Sequence, residues 1–345
     1  MSANDSARTF VFIPRKVQRL GASSLIVTIP KEWAKRNNVD VGDVVSLVDI
    51  GDRLIILPTN TTRRIVVHFD GRHKRIVKHV SKLVLCGFVF GQDKIVISSP
   101  RQGTIKDIIE NLQNLMVMLP YIYITGKDRE VVIDLDSPVE EPWHALKVLG
   151  RHLIGYSENL LKILDSDDED VSSFTMESNV TEIYRSNYRL LRAVTINTAR
   201  GGIESIMGLY FFLYAAMLAA ATDEMHDLGR EIIKLKDRLT WDERERLKFI
   251  VEMLEVALAT LSANMDPNSV KKVEEAYWKI RSVLDLKGDL SKIVGDGSTA
   301  FAYLVARAVN VARTLEIASN IMMCHMLTQK YSTLMNESSN SEGSS

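Results

Sequence analysis

Hydrophobic spacing changes character three times along the chain. Between Phe10 and Pro58, short apolar runs alternate with turn residues, which predicts a β-loop-β-α-β-β unit. Its run Leu25–Ile29 is rich in β-formers with Thr28 as the single polar member, so the pattern predicts a strand buried on more than one side. Pro30 suits the first turn of a helix, where its missing N–H costs nothing. Lys31–Arg36 then makes two turns, stopped by Asn37 and Asn38. VGDVVSLV and RLIIL predict two short strands about the IGD turn. A unit this small buries too little apolar surface alone, so the pattern predicts pairing with a second copy.

After the linker TNTT, RRIVVHF reads as a strand. HKRIVKHVSKLVLCGF places Ile76, Val77, Val80, Leu83 and Val84 at helical spacing. DKIVIS, TIKDIIENLQNLMVML, YIYIT and EVVIDL complete a β-α-β-α-β-β module ending near Asp136. From Pro142 the period is helical throughout. Helices are expected at Trp143–Leu164, Met176–Ala199, Ile203–Lys236, Asp242–Asn264, Pro267–Leu286 and Thr299–Lys330, forming two three-helix units. The uncharged run Ile206–Ala221 is 16 residues long. A membrane span needs about 20, so the run predicts a central bundle helix buried all round. The tail NESSNSEGSS is polar and expected to be disordered.

Composition alters this picture little: 345 residues, 46% hydrophobic and 25% charged, describe a soluble globular protein. Cys86 and Cys324 stand far apart within apolar helical patterns and are expected to be buried free thiols in a reducing cell interior. No basic-then-apolar signal segment opens the sequence, and the expectation is a cytoplasmic protein, not an integral membrane one. Charge is divided. Residues 1–139 carry 20 Lys/Arg against 14 Asp/Glu (+6), and residues 140–345 carry 23 against 30 (−7). A basic front suits an anionic polymer. There is no G-x-G-x-x-G, no G-x-x-x-x-G-K, no paired metal ligands and no nucleophile–base set, so no enzyme is expected. His68, His73 and His79 stand among lysines and arginines and read as solvated surface.

RKVQRLGASSLIVTIPKEWAKRNNVDVGDVVSLVDIGDRLIILP resembles the swapped-hairpin DNA-binding domain of the AbrB/SpoVT/MazE superfamily, its G-x-S-S-x-x-V-x-I-P-K form resembling archaeal members and MazE more than AbrB itself. In the helical half, NVTEIYRSNYRLLRAV and ARTLEIASNIM resemble segments of the PhoU family, tandem three-helix bundles associated with phosphate uptake control. The combination is similar to archaeal phosphate uptake regulators. It implies a multidomain α+β protein: a swapped-hairpin β-barrel domain at 8–58, an α/β middle module at 62–137, PhoU-like tandem bundles at 140–333 and a disordered tail at 334–345. PhoU proteins hold metal through Glu-x-x-x-Asp pairs. Here the matching positions are Ala219 with Asp223 and Ala312 with Glu316, and Thr181 stands where a neighbouring helix usually offers Asp. Asp223, His226, Asp227 and Glu316 remain as a reduced ligand set or as solvated acids at a helix end, and no metal or cofactor is assigned.

The resemblance also gives the front a face. In a swapped-hairpin dimer, Arg15, Lys16 and Arg19 lie with the glycine loop on one outer surface. They neutralise phosphates or reach guanine edges. Ser23 and Ser24 donate to phosphate oxygens and Gly21 lets the backbone approach. Lys31 lies near a helix N-terminus, which favours anions. The implied protein is a homodimeric regulator of phosphate uptake that binds double-stranded DNA, its helical half sensing phosphate status or binding a signalling partner. The alternative is a cytoplasmic adaptor that docks on a phosphate transporter through its bundle, the front serving only to dimerise. An antitoxin fits the front alone, because a toxin-neutralising segment is short and unfolded.

Overall fold

A computed structural model describes residues 13–342, apart from 22–23, 50–53, 59–64, 99–103, 120, 128, 136–137, 139, 166–168, 200–204, 264–269 and 297. The chain divides into two compact units, Met1–Arg63 and Arg64–Ser345. The fold is mixed α+β, with a small β-containing unit followed by a large, mainly helical region.

In the first unit β1 (Gln18–Leu20) pairs antiparallel with β2 (Ser24–Ile26), Arg19 opposite Leu25. Gly21 turns the chain between them at φ +70°, a region that glycine enters without a Cβ clash. Helix α1 spans Lys31–Arg36. Pro30 stands just before its first turn rather than within it, and its carbonyl accepts the N–H groups of Trp33 and Ala34 at 3.0 Å. Asn37 closes the helix by donating Nδ2–H to the Trp33 carbonyl (2.8 Å), and Asn38 takes φ +50°, a conformation that asparagine tolerates. β3 (Val45–Asp49) then pairs antiparallel with β4 (Leu54–Pro58); the IGD turn lies outside the described residues. The strand expected at Leu25–Ile29 ends at Ile26 and is not buried: Leu25 is 71% exposed. Two separate two-stranded ribbons supply no second layer, and none of the described residues of this unit is buried within the single chain.

The second unit opens with a four-stranded sheet in the order β5-β6-β8-β7. β5 (Val66–Asp70) and β6 (Lys94–Ser98) are parallel, joined by the crossover α2 (Lys74–Lys78) and α3 (Val80–Val89). After α4 (Thr104–Met118), the hairpin β7 (Tyr123–Lys127) and β8 (Glu130–Asp134) places β8 antiparallel against β6. Ile95, Ile97, Val131 and Ile133, alternate residues on adjacent strands, pack against Val84 and Phe88 of α3 and Ile108 and Leu112 of α4. The single helix expected from 74 onward is interrupted at His79 (φ −115°, ψ 19°).

Six long helices follow: α5 (Pro142–Asp165), α6 (Glu169–Ala199), α7 (Ser205–Leu235), α8 (Trp241–Ala263), α9 (Val270–Asp296) and α10 (Thr299–Glu342). α5, α6 and α7 pack on one another, as do α8, α9 and α10, and the two sets meet through α5–α8 and α7–α10. One continuous apolar core runs through all six. Small residues set the close approaches: a Cβ on Gly150 would strike Ser262 of α8, and one on Gly208 would strike Thr198 of α6.

Three expectations are corrected here. α7 is not buried all round: Ile206, Leu209 and Leu213 are 56%, 59% and 43% exposed. Its run Ile206–Ala221 carries no charge on any side, so the sequence could not show which of its residues pack on α6 and α10. Among the described residues it is the one helix long and apolar enough to cross a membrane. Cys86 and Cys324 are exposed, not buried. Each stands two residues from buried neighbours on both sides (Val84 and Phe88, Met322 and Met326), about 200° round the helix from them. Finally, α10 continues to Glu342, into the tail expected to be disordered. An existing helix gains one hydrogen bond per added residue, and after Thr299 the sequence offers neither Gly nor Pro before Gly343.

The sheet module and the bundle are tied together by Arg192 of α6. Its Nη1 donates to the carbonyls of Phe88 (2.8 Å) and Gln92 (2.9 Å), and Nη2 to that of Leu135 (3.1 Å). Asp93 lies 3.6 Å away and the guanidinium sits 4.8 Å from the Phe88 ring centroid.

Candidate nucleic-acid interface

The β1–β2 hairpin carries most of the residues selected from sequence. Arg19 pairs with Leu25 across the ladder and Leu20 with Ser24, and successive pairs point to opposite faces. Arg19 and Ser24 therefore stand on opposite faces of the ribbon, not together. Arg15 and Lys16 precede β1 on exposed chain; among the described residues the Arg15 guanidinium donates to the neighbouring Pro14 carbonyl, at 3.3 Å. Ser23 lies outside the described residues. A Cβ on Gly21 would meet nothing within 4 Å, so its φ, not crowding, requires glycine there.

Lys31 opens α1 and is exposed. With six residues and Glu32 in its first turn, that helix offers an anion little dipole. The same short helix ends in Lys35 and Arg36, two exposed cations that the sequence set omits although its basic last turn signalled them. Arg15, Lys16, Arg19, Lys31, Lys35 and Arg36 make no ion pair among the described residues. Such cations are available to a polyanion, and arginine can take phosphate or guanine in bidentate fashion.

Residues 18–64 match the family model described as antidote-toxin recognition MazE, bacterial antitoxin. This stretch is a MazE/AbrB-type antitoxin-like domain. The match ends one residue past the boundary between the two compact units. No curated protein and no solved structure matches the chain.

In the helical half, the acids singled out from the sequence go to separate partners. The Tyr184 hydroxyl donates to Asp223, and burial together with that carboxylate pushes the Tyr184 phenol well above its ordinary value. Asp227 faces Arg307 at 3.8 Å, Glu316 accepts from Arg281 at 3.0 Å, and His226 Nδ1 lies 3.3 Å from the Tyr156 hydroxyl. Among the described residues, no three His, Cys, Asp or Glu side chains converge as metal ligands.

Proposed function

We propose that this protein is a cytoplasmic, homodimeric transcription regulator that binds double-stranded DNA through its first unit and performs no catalysis. One observation carries the reading: the MazE-type match falls on a separate compact unit whose cations make no ion pair among the described residues and which buries none of its described side chains. Leu25, Val27, Val44, Leu47 and Leu54 are exposed in the single chain. A second copy is the natural cover for them, and dimers of this kind read two-fold related half-sites.

For the helical half the reading is control of phosphate uptake. Its support is the PhoU-like character of NVTEIYRSNYRLLRAV and ARTLEIASNIM and the packing of six helices as two sets of three. The test is mapping of DNA bound by the intact protein in phosphate-replete and phosphate-starved cells. Occupancy of inverted repeats that changes with phosphate supports the reading in full. Occupancy that ignores phosphate removes the sensory part and leaves the DNA-binding part.

A second reading, an adaptor that docks on a phosphate transporter through its bundle, draws on the apolar outer face of α7 at Ile206, Leu209 and Leu213. Large exposed apolar patches mark interaction surfaces. Under that reading, replacing Arg15, Lys16 and Arg19 leaves the protein's activity intact.

A further inference from the structure

We propose that the sheet module of the second unit carries an additional contact surface for the DNA backbone, on the ridge formed by α2 and the start of α3. This inference rests on the reading of the first unit as a DNA-binding domain and extends it to a part of the chain that reading leaves without a role. From Gly71 to Gln92 the sequence contains no Asp or Glu, while Arg72, Lys74, Arg75, Lys78 and Lys82 fall within eleven residues. All five are exposed, and so are the interspersed His73 and His79.

Arg72 is already engaged: Asp70 accepts from its Nε at 2.9 Å and from its Nη2 at 2.5 Å, and the pair holds the Asp70 carboxyl well below its usual range. The other four make no ion pair among the described residues. Lys74 and Lys78 stand one turn apart on α2, about 6 Å along its axis, and Lys82 follows in the first turn of α3. One DNA strand presents a phosphate about every 3.4 Å of axis, so the Lys74–Lys78 spacing alone matches about two of them and the cations beyond it can reach further ones.

Two other occupants fit less well. A cleft of about 590 Å³ beside the ridge is lined by Lys74 and Lys78, but Asp107 and Glu110 of α4 line it too. Those carboxylates oppose a small anion inside the cleft. They leave Arg75 and Lys82, which do not line it, open to an extended polyanion outside. An anionic membrane requires apolar side chains beside the cations to enter the lipid interface. Here Ile76 and Val77 pack against the module's own core, and no large apolar side chain between 72 and 82 is exposed. The fold itself has no use for the cluster, because four unpaired like charges repel one another. The ridge also follows the first unit closely in sequence, and a short connector gives a second site a high effective concentration on the same duplex.

The experiment compares salt titrations of DNA affinity for the intact wild-type protein with two variants. One carries Lys74→Gln, Arg75→Gln, Lys78→Gln and Lys82→Gln together; the other carries Arg15→Ala, Lys16→Ala and Arg19→Ala. Each lost phosphate contact lowers the slope of log affinity against log salt by about 0.9. Two to four contacts per chain, hence four to eight per dimer, mean that, between about 50 and 200 mM salt, the wild type loses about 150- to 20,000-fold more affinity than the ridge variant. Circular dichroism and thermal melting should match the wild type, since every replaced side chain is exposed. A ridge variant with the wild-type slope overturns the inference and leaves the first unit's role standing. A front variant with wild-type affinity, beside a ridge variant of reduced slope, overturns the role of the first unit and supports the ridge. Binding of the ridge to phosphatidylserine vesicles with an unchanged DNA slope also overturns the inference, in favour of a membrane surface.

Discussion

Replacing Arg192 should loosen the sheet module from the bundle. The side chain is 3% exposed and donates to three backbone carbonyls, those of Phe88, Gln92 and Leu135. Hydrogen bonds to a charged group contribute about 1.5–3 kcal/mol each, though not additively. Removing the guanidinium also strands acceptors that no water readily reaches, and breaking a buried charged contact costs about 3–5 kcal/mol. Asp93 is partly solvated, so its share is small. The Arg192→Ala variant should therefore lose about 3–5 kcal/mol, and Arg192→Lys less, because an ammonium reaches only some of the three carbonyls. Urea unfolding followed by two probes tests this. The module contains no tryptophan: Trp33 lies in the first unit, and Trp143, Trp241 and Trp278 report on the bundle. In the alanine variant the far-UV signal should begin to fall before the tryptophan signal, dividing one transition into two. A loss under about 1 kcal/mol with coincident transitions would refute the reasoning.

Other outcomes follow from single contacts. Glu243 accepts the N–H of Thr240 (2.8 Å) and of Ser298 (2.7 Å), holding the starts of α8 and α10 together. Glu243→Ala should lose about 2–3 kcal/mol in chemical denaturation, from the cap and the Ser298 contact together. Burial alone would raise this carboxyl, but the donated N–H groups outweigh it and the folded value is lowered. Its stabilisation is thus complete above the unfolded glutamate value of about 4.3 and lost as pH falls through the folded value. Glu243→Gln should remove that acid-limb dependence, and an unchanged acid limb would contradict the assignment. Gly150→Ala pushes a methyl into Ser262 across the α5–α8 crossing and should cost about 1–3 kcal/mol by thermal melting, partly relieved by Ser262→Gly. Intact protein should sediment as a dimer, and Leu25→Asp with Val27→Asp should yield monomers; a wild-type monomer at micromolar concentration would contradict the dimer.

What the sequence disclosed and what it hid have separate physical causes. The I-P-K-E-W turn into α1, the turn glycine at 21 and the six long helices rest on local chemistry within a few residues, and local chemistry is visible in a sequence. The half-exposure of α7 was hidden because its apolar residues surround the axis. The exposure of Cys86 and Cys324 followed from their angle round a helix, which the pattern of Val84 and Phe88 already contained. The break at His79 has no proline or glycine to mark it. Arg192 was invisible because its partners are backbone carbonyls 57 to 104 residues away, and backbone acceptors carry no residue type. In the candidate interface the residue types were legible. The register that sets Arg19 and Ser24 on opposite faces was not, because a short ribbon shows no alternation to fix it.

The central claim, that the first unit binds DNA, meets its most direct test in selection from a random duplex library by the intact protein, alongside the Arg15→Ala, Lys16→Ala, Arg19→Ala variant. The wild type should enrich an inverted repeat, as two-fold related hairpins require, and the variant should enrich none. No enrichment by the wild type, or the same repeat recovered by the variant, would contradict the account.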